Sequence, residues 1–199
     1  MVALLFSLAR RRWFLLGLTV LTLGMFVLMQ LLFRFELGHR FGLVEPPDGR
    51  LYYTSAQLVG VLDALGPAGR QMYMYLHIPD MLFPLVYGLF FAALVVFFWG
   101  LRAGAVKAAS WLAIVPAIGT VADWIENIAI AWVSMLFSAG HTATDIAASA
   151  PIAARLAGTA TAMKWTCVWL STLLILVGIA FLIVRRVAKP APVSRRSGR

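Results

Sequence analysis

The most regular feature of this chain is the alternation of long apolar stretches with short polar segments. Four stretches are long enough for a membrane helix, which needs roughly 20 predominantly apolar residues. They cover, approximately, residues 13–33, 72–99, 108–137 and 159–184. The pattern predicts an all-α integral membrane four-helix bundle that forms a single domain over residues 1–189. Residues 190–199 are rich in proline, serine and arginine, and we expect a disordered basic tail there.

The longest polar segment, residues 34–71, contains helix signals of its own. Thr54 and Gln57 have the spacing of a capping box, and Gly66 followed by Pro67 marks a helix end. The apolar residues between these signals are Leu58, Val59, Val61, Leu62 and Leu65. They predict a short amphipathic helix in the first external loop. This helix would lie on the membrane surface, cover the bundle, or pack on the ends of the long helices, and we favour the last.

The composition supports a membrane protein. Hydrophobic residues make up 62% of the chain and charged residues 13%, whereas soluble domains are about 45–50% apolar and about 25% charged. The net charge of +9 does not indicate nucleic-acid binding, because the basic residues cluster at the ends of the apolar stretches and in the tail. The one cysteine, Cys167, allows no disulfide within the chain. No nucleotide-binding loop or histidine-box motif occurs, and no cofactor is expected.

The distribution of basic residues predicts which side of the membrane each terminus faces. Lysine and arginine collect on the cytoplasmic side of membrane proteins. Eleven lie on the side that holds both termini: Arg10, Arg11, Arg12, Arg102, Lys107, Arg185, Arg186, Lys189, Arg195, Arg196 and Arg199. We therefore expect both termini in the cytoplasm. The compact loops and this charge pattern favour a bacterial inner membrane. The first apolar stretch, at 21 residues, exceeds the roughly 7–15 residues of a signal peptide core and should remain uncleaved.

Polar side chains in the second apolar stretch are spaced so that they share one helical face. Tyr73, His77, Asp80, Pro84 and Tyr87 are separated by four, three, four and three residues, which is the spacing of one face of an α-helix. Ionisable groups within a membrane are costly and usually face the interior of a bundle. This face is therefore expected to point inward.

The third and fourth stretches carry the other intramembrane charges. Asp123, Glu126 and Asn127 form an i, i+3, i+4 set on one helical face, and Lys164 lies in the fourth stretch. At about 1.5 Å per residue, Asp123 and Glu126 lie about 18 Å and about 23 Å from the cytoplasmic boundary. Asp80 and Lys164 lie near the outer edge of a hydrocarbon layer about 30 Å thick. All these groups fit one inward-facing cluster in the outer half of the membrane.

This cluster contains more acid than base. Asp80, Asp123 and Glu126 oppose Lys164, and full ionisation of such a set is unfavourable at low dielectric. We predict that at least one of Asp123 and Glu126 holds a proton near neutral pH, and His77 is a second candidate proton carrier. An Asp80–Lys164 salt bridge that only fixes the order of the helices is an equally weighted interpretation of that pair.

These residues lead to a hypothesis of acid/base chemistry within the membrane. The preferred interpretation is a protein that binds or converts a lipid or isoprenoid-like amphiphile by proton transfer, with the amphiphile arriving from the outer leaflet. An enzyme of this kind would be an isomerase or a cyclase. The candidate catalytic residues are Asp80, Asp123, Glu126 and Asn127, the last in an orienting role. The candidate ligand-binding residues are Tyr73, His77, Tyr87, Trp124, Lys164 and Trp165.

Other interpretations remain open at this point. The same acids suit a proton- or cation-coupled transporter or sensor, which with four helices would act as a homo-oligomer. They equally suit a structural subunit whose polar residues lock its helices together. A metal site built from His77, Asp80, Asp123 and Glu126 is disfavoured, because a second histidine at coordinating spacing is missing and Lys164 supplies the countercharge. The expected partners are membrane lipids and a hydrophobic small molecule.

Overall fold

A computed structural model describes residues 2–42, 45–101, 106–149 and 151–187 of the chain. These ranges contain helices and turns and no β-strand. The α-helices are α1 (Val2–Ala9), α2 (Arg12–Leu32), α3 (Ser55–Ala64), α4 (Gly66–Asp80), α5 (Phe83–Gly100), α6 (Val106–Leu112), α7 (Ile114–Ser138), α8 (Ala143–Ser149) and α9 (Pro151–Val187). A π-helical segment, Phe33–His39, prolongs α2, and a 3-10 turn, Pro47–Gly49, precedes α3.

Four helical segments are long and apolar enough to cross a membrane. They are Arg12–His39, Gly66–Gly100, Ala109–Ser138 and Pro151–Val187. The prediction of four membrane-length helices is therefore confirmed. The fourth helix extends beyond its apolar stretch to Pro151, a residue type that is well suited to the first turn of a helix and predicts this extension. The predicted tail, Arg102 and Lys189 lie outside the described residues.

The second of these segments is interrupted where two prolines flank a short turn. Pro79 precedes the turn between α4 and α5, and Pro84 follows it. Proline has no backbone N–H and cannot donate to the preceding helical turn. The carbonyl of Met81, inside the turn, instead accepts a hydrogen bond from Trp124 Nε1 of α7 at 2.9 Å. The neighbouring helix thus stabilises the break.

The short helix predicted in the first loop is present as α3. The Thr54 side chain accepts a hydrogen bond from the Gln57 N–H, and the Gln57 side chain accepts one from the Thr54 N–H, so the capping box is confirmed. Leu58 and Leu62 are fully buried in a core cluster with Ile130 of α7 and other apolar residues. The helix packs on α7, α8 and α9, as the favoured interpretation expected.

The helices α1, α5 and α9 meet at the end of the protein that lies opposite α3. We refer to it as the terminal end. The ring of Phe6 in α1 lies close against Gly100 at the end of α5. Trp99 Nε1 donates to the Leu174 carbonyl at 2.9 Å, and its ring contacts that of Phe181. The apolar helix α1 was not among the predicted elements, because the first predicted helix begins at residue 13.

Large apolar side chains cover the outer surface of the long helices. Val20 and Val27 of α2 and Leu173 and Leu176 of α9 are each more than half exposed. Monomeric soluble proteins seldom expose apolar surface on this scale. In a bilayer, lipid tails cover such surfaces, and only the polar backbone must be satisfied internally, as it is in a helix.

Candidate functional site

The polar face predicted for the second membrane segment points into the protein. Tyr73, His77 and Asp80 of α4 and Pro84 and Tyr87 of α5 are all buried. The buried face continues across the break between the two helices. The rotation of α5 relative to α4 is therefore close to that of an unbroken helix. The prediction that these five residues face inward is confirmed.

One lysine of α9 pairs with two carboxylates of α7. Lys164 Nζ lies 2.6 Å from Glu126 Oε2 and 3.3 Å from Asp123 Oδ1. The exposed fractions are 8% for Lys164, 4% for Asp123 and 0% for Glu126. Because residues three apart lie one above the other on a helix, a single ammonium group reaches both acids. The structure thus brings together the charged residues of the third and fourth predicted helices.

Hydroxyl groups from outside α7 complete the hydrogen bonding of the two carboxylates. Tyr87 OH of α5 donates to Asp123 Oδ2 at 2.9 Å. Tyr53 OH donates to Glu126 Oε1 at 3.2 Å, and Thr161 Oγ1 donates to the same oxygen at 2.5 Å. Such hydrogen bonds offset part of the cost of burying charge. We refer to Tyr53, Tyr87, Asp123, Glu126, Thr161 and Lys164 together as the acid–lysine network.

Two members of this network were missed by the sequence analysis. Thr161 lies three residues before Lys164 and shares its helical face, so this spacing was a signal that would have found it. Tyr53 lies in the irregular segment before α3, where no periodicity marks its direction. It is 1% exposed, and its carbonyl lies so close to Gly158 of α9 that any Cβ there would overlap it.

Tyr73 and His77 lie in the apolar part of the core. His77 Nδ1 is 3.0 Å from the Tyr73 carbonyl oxygen, one helical turn earlier. The two rings meet edge to face with their centroids 4.6 Å apart, and the Tyr73 ring also packs against Phe33. Tyr73 thus packs against His77 within α4 and against the π-helical segment that prolongs α2.

Trp124 and Asn127 are two further candidate site residues on α7. Trp124 donates its Nε1–H to the Met81 carbonyl and thereby stabilises the α4–α5 break. Asn127 is 1% exposed, and its amide makes no hydrogen bond to a described residue. The predicted orientation of Asp123 and Glu126 by this amide is therefore not supported by a direct contact.

A cavity of about 430 Å³ lies between α2 and the acid–lysine network. Its polar lining residues are Thr22, Gln30, Asp80, Tyr87, Asp123 and Lys164, and the last four form what we refer to as the charged wall. Its aromatic lining consists of Phe26, Phe33, Phe83, Phe90, Phe91 and Trp165, together with Tyr87. Small-molecule sites typically measure roughly 300–1,000 Å³ and combine mainly apolar walls with a few convergent polar groups. The cavity matches this description in both size and chemistry.

The cavity divides the ten predicted site residues into two groups of five. Those that line it are Asp80, Tyr87, Asp123, Lys164 and Trp165. Those that are not among its lining residues are Tyr73, His77, Trp124, Glu126 and Asn127. Glu126 is nevertheless one contact away, through its ion pair with Lys164.

Over the part of the chain that the structure describes, no group of three or more histidine, cysteine, aspartate or glutamate side chains is arranged to hold a metal ion. Comparisons with protein-family models, with curated proteins and with solved structures found nothing that matches this chain. The cavity and the acid–lysine network are the features of the structure that bear on its function.

Proposed function

We propose that this protein crosses a bacterial inner membrane four times as a four-helix bundle, with both termini in the cytoplasm. Arg10, Arg11 and Arg12 lie just before or at the start of α2, and Arg185 and Arg186 lie at the end of α9. The contacts of α5 with α1 and α9 bring these ends together at the terminal end. Arginines concentrated on one side of a membrane protein favour the cytoplasm for that side.

Cysteine labelling in intact cells tests this orientation. In a Cys167→Ala background, single cysteines would be introduced by Ser7→Cys in α1 and by Ser149→Cys in α8, both at exposed positions. A membrane-impermeant maleimide should label the Ser149→Cys variant in intact cells and the Ser7→Cys variant only after lysis. Labelling in the reverse pattern would mean that the termini face outward.

We further propose that the cavity binds a lipid or isoprenoid-like amphiphile and exchanges a proton with it. The observation that carries this proposal is the 430 Å³ cavity itself, whose long aromatic lining suits an apolar chain and whose charged wall suits a polar end. A site that only locked helices together would fill this space with side chains, because helix–helix contacts in membranes depend on close packing.

The position of α2 favours access from the lipid. Leu23 and Phe26 of α2 line the cavity, and 58% and 47% of their surface is exposed. We propose that α2 therefore forms a thin wall between the cavity and the surrounding lipid. A molecule dissolved in the bilayer would reach the cavity by displacing these side chains, without crossing water.

The charged wall suggests how a proton would be exchanged. Asp80 and Asp123 reach the cavity, and they are the groups we assign to proton transfer with a bound molecule. Tyr87 and Lys164 hold the Asp123 carboxyl from both sides. Glu126 acts as a positioning residue, because it holds Lys164 from behind the wall. Moving a proton on and off carbon is the chemistry of isomerisation and cyclisation.

Filling the cavity tests the binding function. Val168 lines the cavity from α9, and Val168→Trp would place an indole ring inside it. The wild type, purified from membranes, should retain a specific lipid or isoprenoid that native mass spectrometry detects, and Val168→Trp should lose it. A suitable control is Leu173→Trp, which adds the same ring on the outer surface of the same helix.

The two variants separate the effect of filling the cavity from the effect of adding an indole ring to the outer surface of α9. We expect Leu173→Trp to retain the bound molecule and Val168→Trp to lose it while melting at a similar temperature. A wild type that carries no specific molecule, or a Val168→Trp variant that carries as much as the wild type, would refute the proposal.

A further inference from the structure

Aromatic rings form a continuous row along the cavity wall. The rings of Phe26 in α2 and Phe83 in α5 have centroids 6.4 Å apart, and Phe83 contacts Tyr87 at 5.3 Å. Tyr87 contacts Phe91 at 6.3 Å, and Phe91 contacts Phe90 at 5.5 Å. All five rings line the cavity. Aromatic rings attract organic cations through their quadrupoles, most strongly where water is excluded.

The charged groups on the same wall are predominantly acidic. Among the described lining residues, Asp80 and Asp123 carry carboxyl groups and Lys164 carries the ammonium group. Lys164 Nζ is closer to Glu126, at 2.6 Å, than to Asp123, at 3.3 Å, and Glu126 lies outside the lining. Lys164 thus shares its positive charge between Asp123 on the wall and Glu126 behind it. The surface that a ligand meets is therefore more acidic than basic.

We propose that the cavity takes an amphiphile whose polar end is an organic ammonium group. This inference rests on the proposed binding function and names its ligand class. The ammonium group and the carbon atoms next to it would lie against Asp123 and Asp80 and beside the ring of Tyr87. The apolar chain would follow the phenylalanines toward α2. A bound cation also reduces the acid excess of the site, which neither a neutral nor an anionic head group does. An anionic head group would meet like charge on this wall.

Photo-crosslinking with matched probes tests the ligand class. Three diazirine probes would share one alkyl chain and end in trimethylammonium, hydroxyl or carboxylate. The full-length protein in nanodiscs would be labelled at equal probe concentration in the bilayer, and the labelled residues would be located by mass spectrometry. We expect cavity residues to be labelled at least about tenfold more by the ammonium probe than by the hydroxyl probe, since a desolvated cation–π contact alone is worth a factor of this size.

Two variants identify the origin of the preference. Asp80→Asn keeps the shape of the side chain and removes its charge, and Phe91→Leu removes one ring of the row. Each should lower labelling by the ammonium probe toward that by the hydroxyl probe. Phe35→Leu is the matched control, because Phe35 lies on the exposed surface outside the cavity. Thermal melts of all variants would verify folding, and Phe91→Leu provides the test if Asp80→Asn does not fold.

The outcomes distinguish this inference from the function on which it rests. Equal labelling of the cavity by all three probes would overturn the ammonium preference and leave amphiphile binding intact. Preferential labelling by the carboxylate probe would overturn it as well, since Lys164 would then dominate the wall. If no probe labels the cavity and Val168→Trp changes nothing, both proposals fail together.

Discussion

Replacing Lys164 with methionine is expected to lower the free energy of unfolding by about 3–5 kcal/mol. Methionine keeps much of the length and apolar stem of lysine, so the change removes chiefly the charge. It leaves Asp123 and Glu126 buried beside each other without the ammonium group that lies 3.3 Å and 2.6 Å from them. A buried charge that loses its partner is much more destabilising than the loss of a surface pair. Unfolding in mixed micelles of increasing denaturing-detergent content would measure the change.

A double-mutant cycle identifies the cause. Glu126→Gln removes one of the two carboxylates, so in its presence Lys164→Met should cost at least about 1 kcal/mol less than in the wild type. Leu170→Met, on the exposed side of the same helix, serves as the control and should change stability by less than about 0.5 kcal/mol. Additive effects of the two network substitutions would show that the ion pair contributes nothing to the fold.

The membrane helices were predictable from sequence because their signals are local. Each span is a continuous run of apolar residues, and lipid imposes both its length and its composition. The inward face of the second segment was predictable for the same reason, since the spacing of Tyr73, His77, Asp80, Pro84 and Tyr87 defines a face without reference to any other helix. The capping box at Thr54 and Gln57 is likewise local.

The details of the site depend on contacts that the sequence does not encode locally. Tyr53 and Glu126 are separated by 73 residues, and nothing in the irregular segment around Tyr53 indicates its direction. The partners of Lys164 were also left open, because a depth calculated along straight helices cannot include the reach of a long lysine side chain. Its ammonium group extends to both acids of α7, while a pairing with Asp80 stays a prediction.

The cavity was the least predictable feature, because its position and size depend on how the surrounding side chains pack. Asp80 and Trp165 were predicted from their polarity and ring chemistry, and their common position in the lining of one cavity emerges only from the packing of the helices. The path of the chain after the break at Pro79 was also not predictable from the sequence. Proline predicts that a helix is interrupted, but the direction of the continuing helix depends on α7, which provides the hydrogen bond from Trp124 to Met81.

Gly158→Ala is expected to displace the segment around Tyr53 and to destabilise the protein by about 1–3 kcal/mol. A Cβ at this position of α9 would overlap the Tyr53 backbone carbonyl, and a backbone atom cannot move aside as a flexible side chain does. In an unobstructed helix the same substitution is favourable by up to about 1 kcal/mol. A measured loss would therefore mean that the steric conflict exceeds the gain in helix propensity.

The displacement should be visible in the loop as well as in the melting temperature. Pro46 and Gly49 of this loop border the cavity, and Arg50, paired with Glu45 at 3.2 Å, provides a site for trypsin. If Tyr53 is dislodged from Glu126, cleavage after Arg50 should accelerate in Gly158→Ala. Gly24→Ala, at a helical position with no atom within contact distance, should be cleaved like the wild type and melt at the same or a slightly higher temperature. Equal cleavage rates and melting temperatures in both variants would show that Tyr53 does not depend on Gly158 for its place in the acid–lysine network.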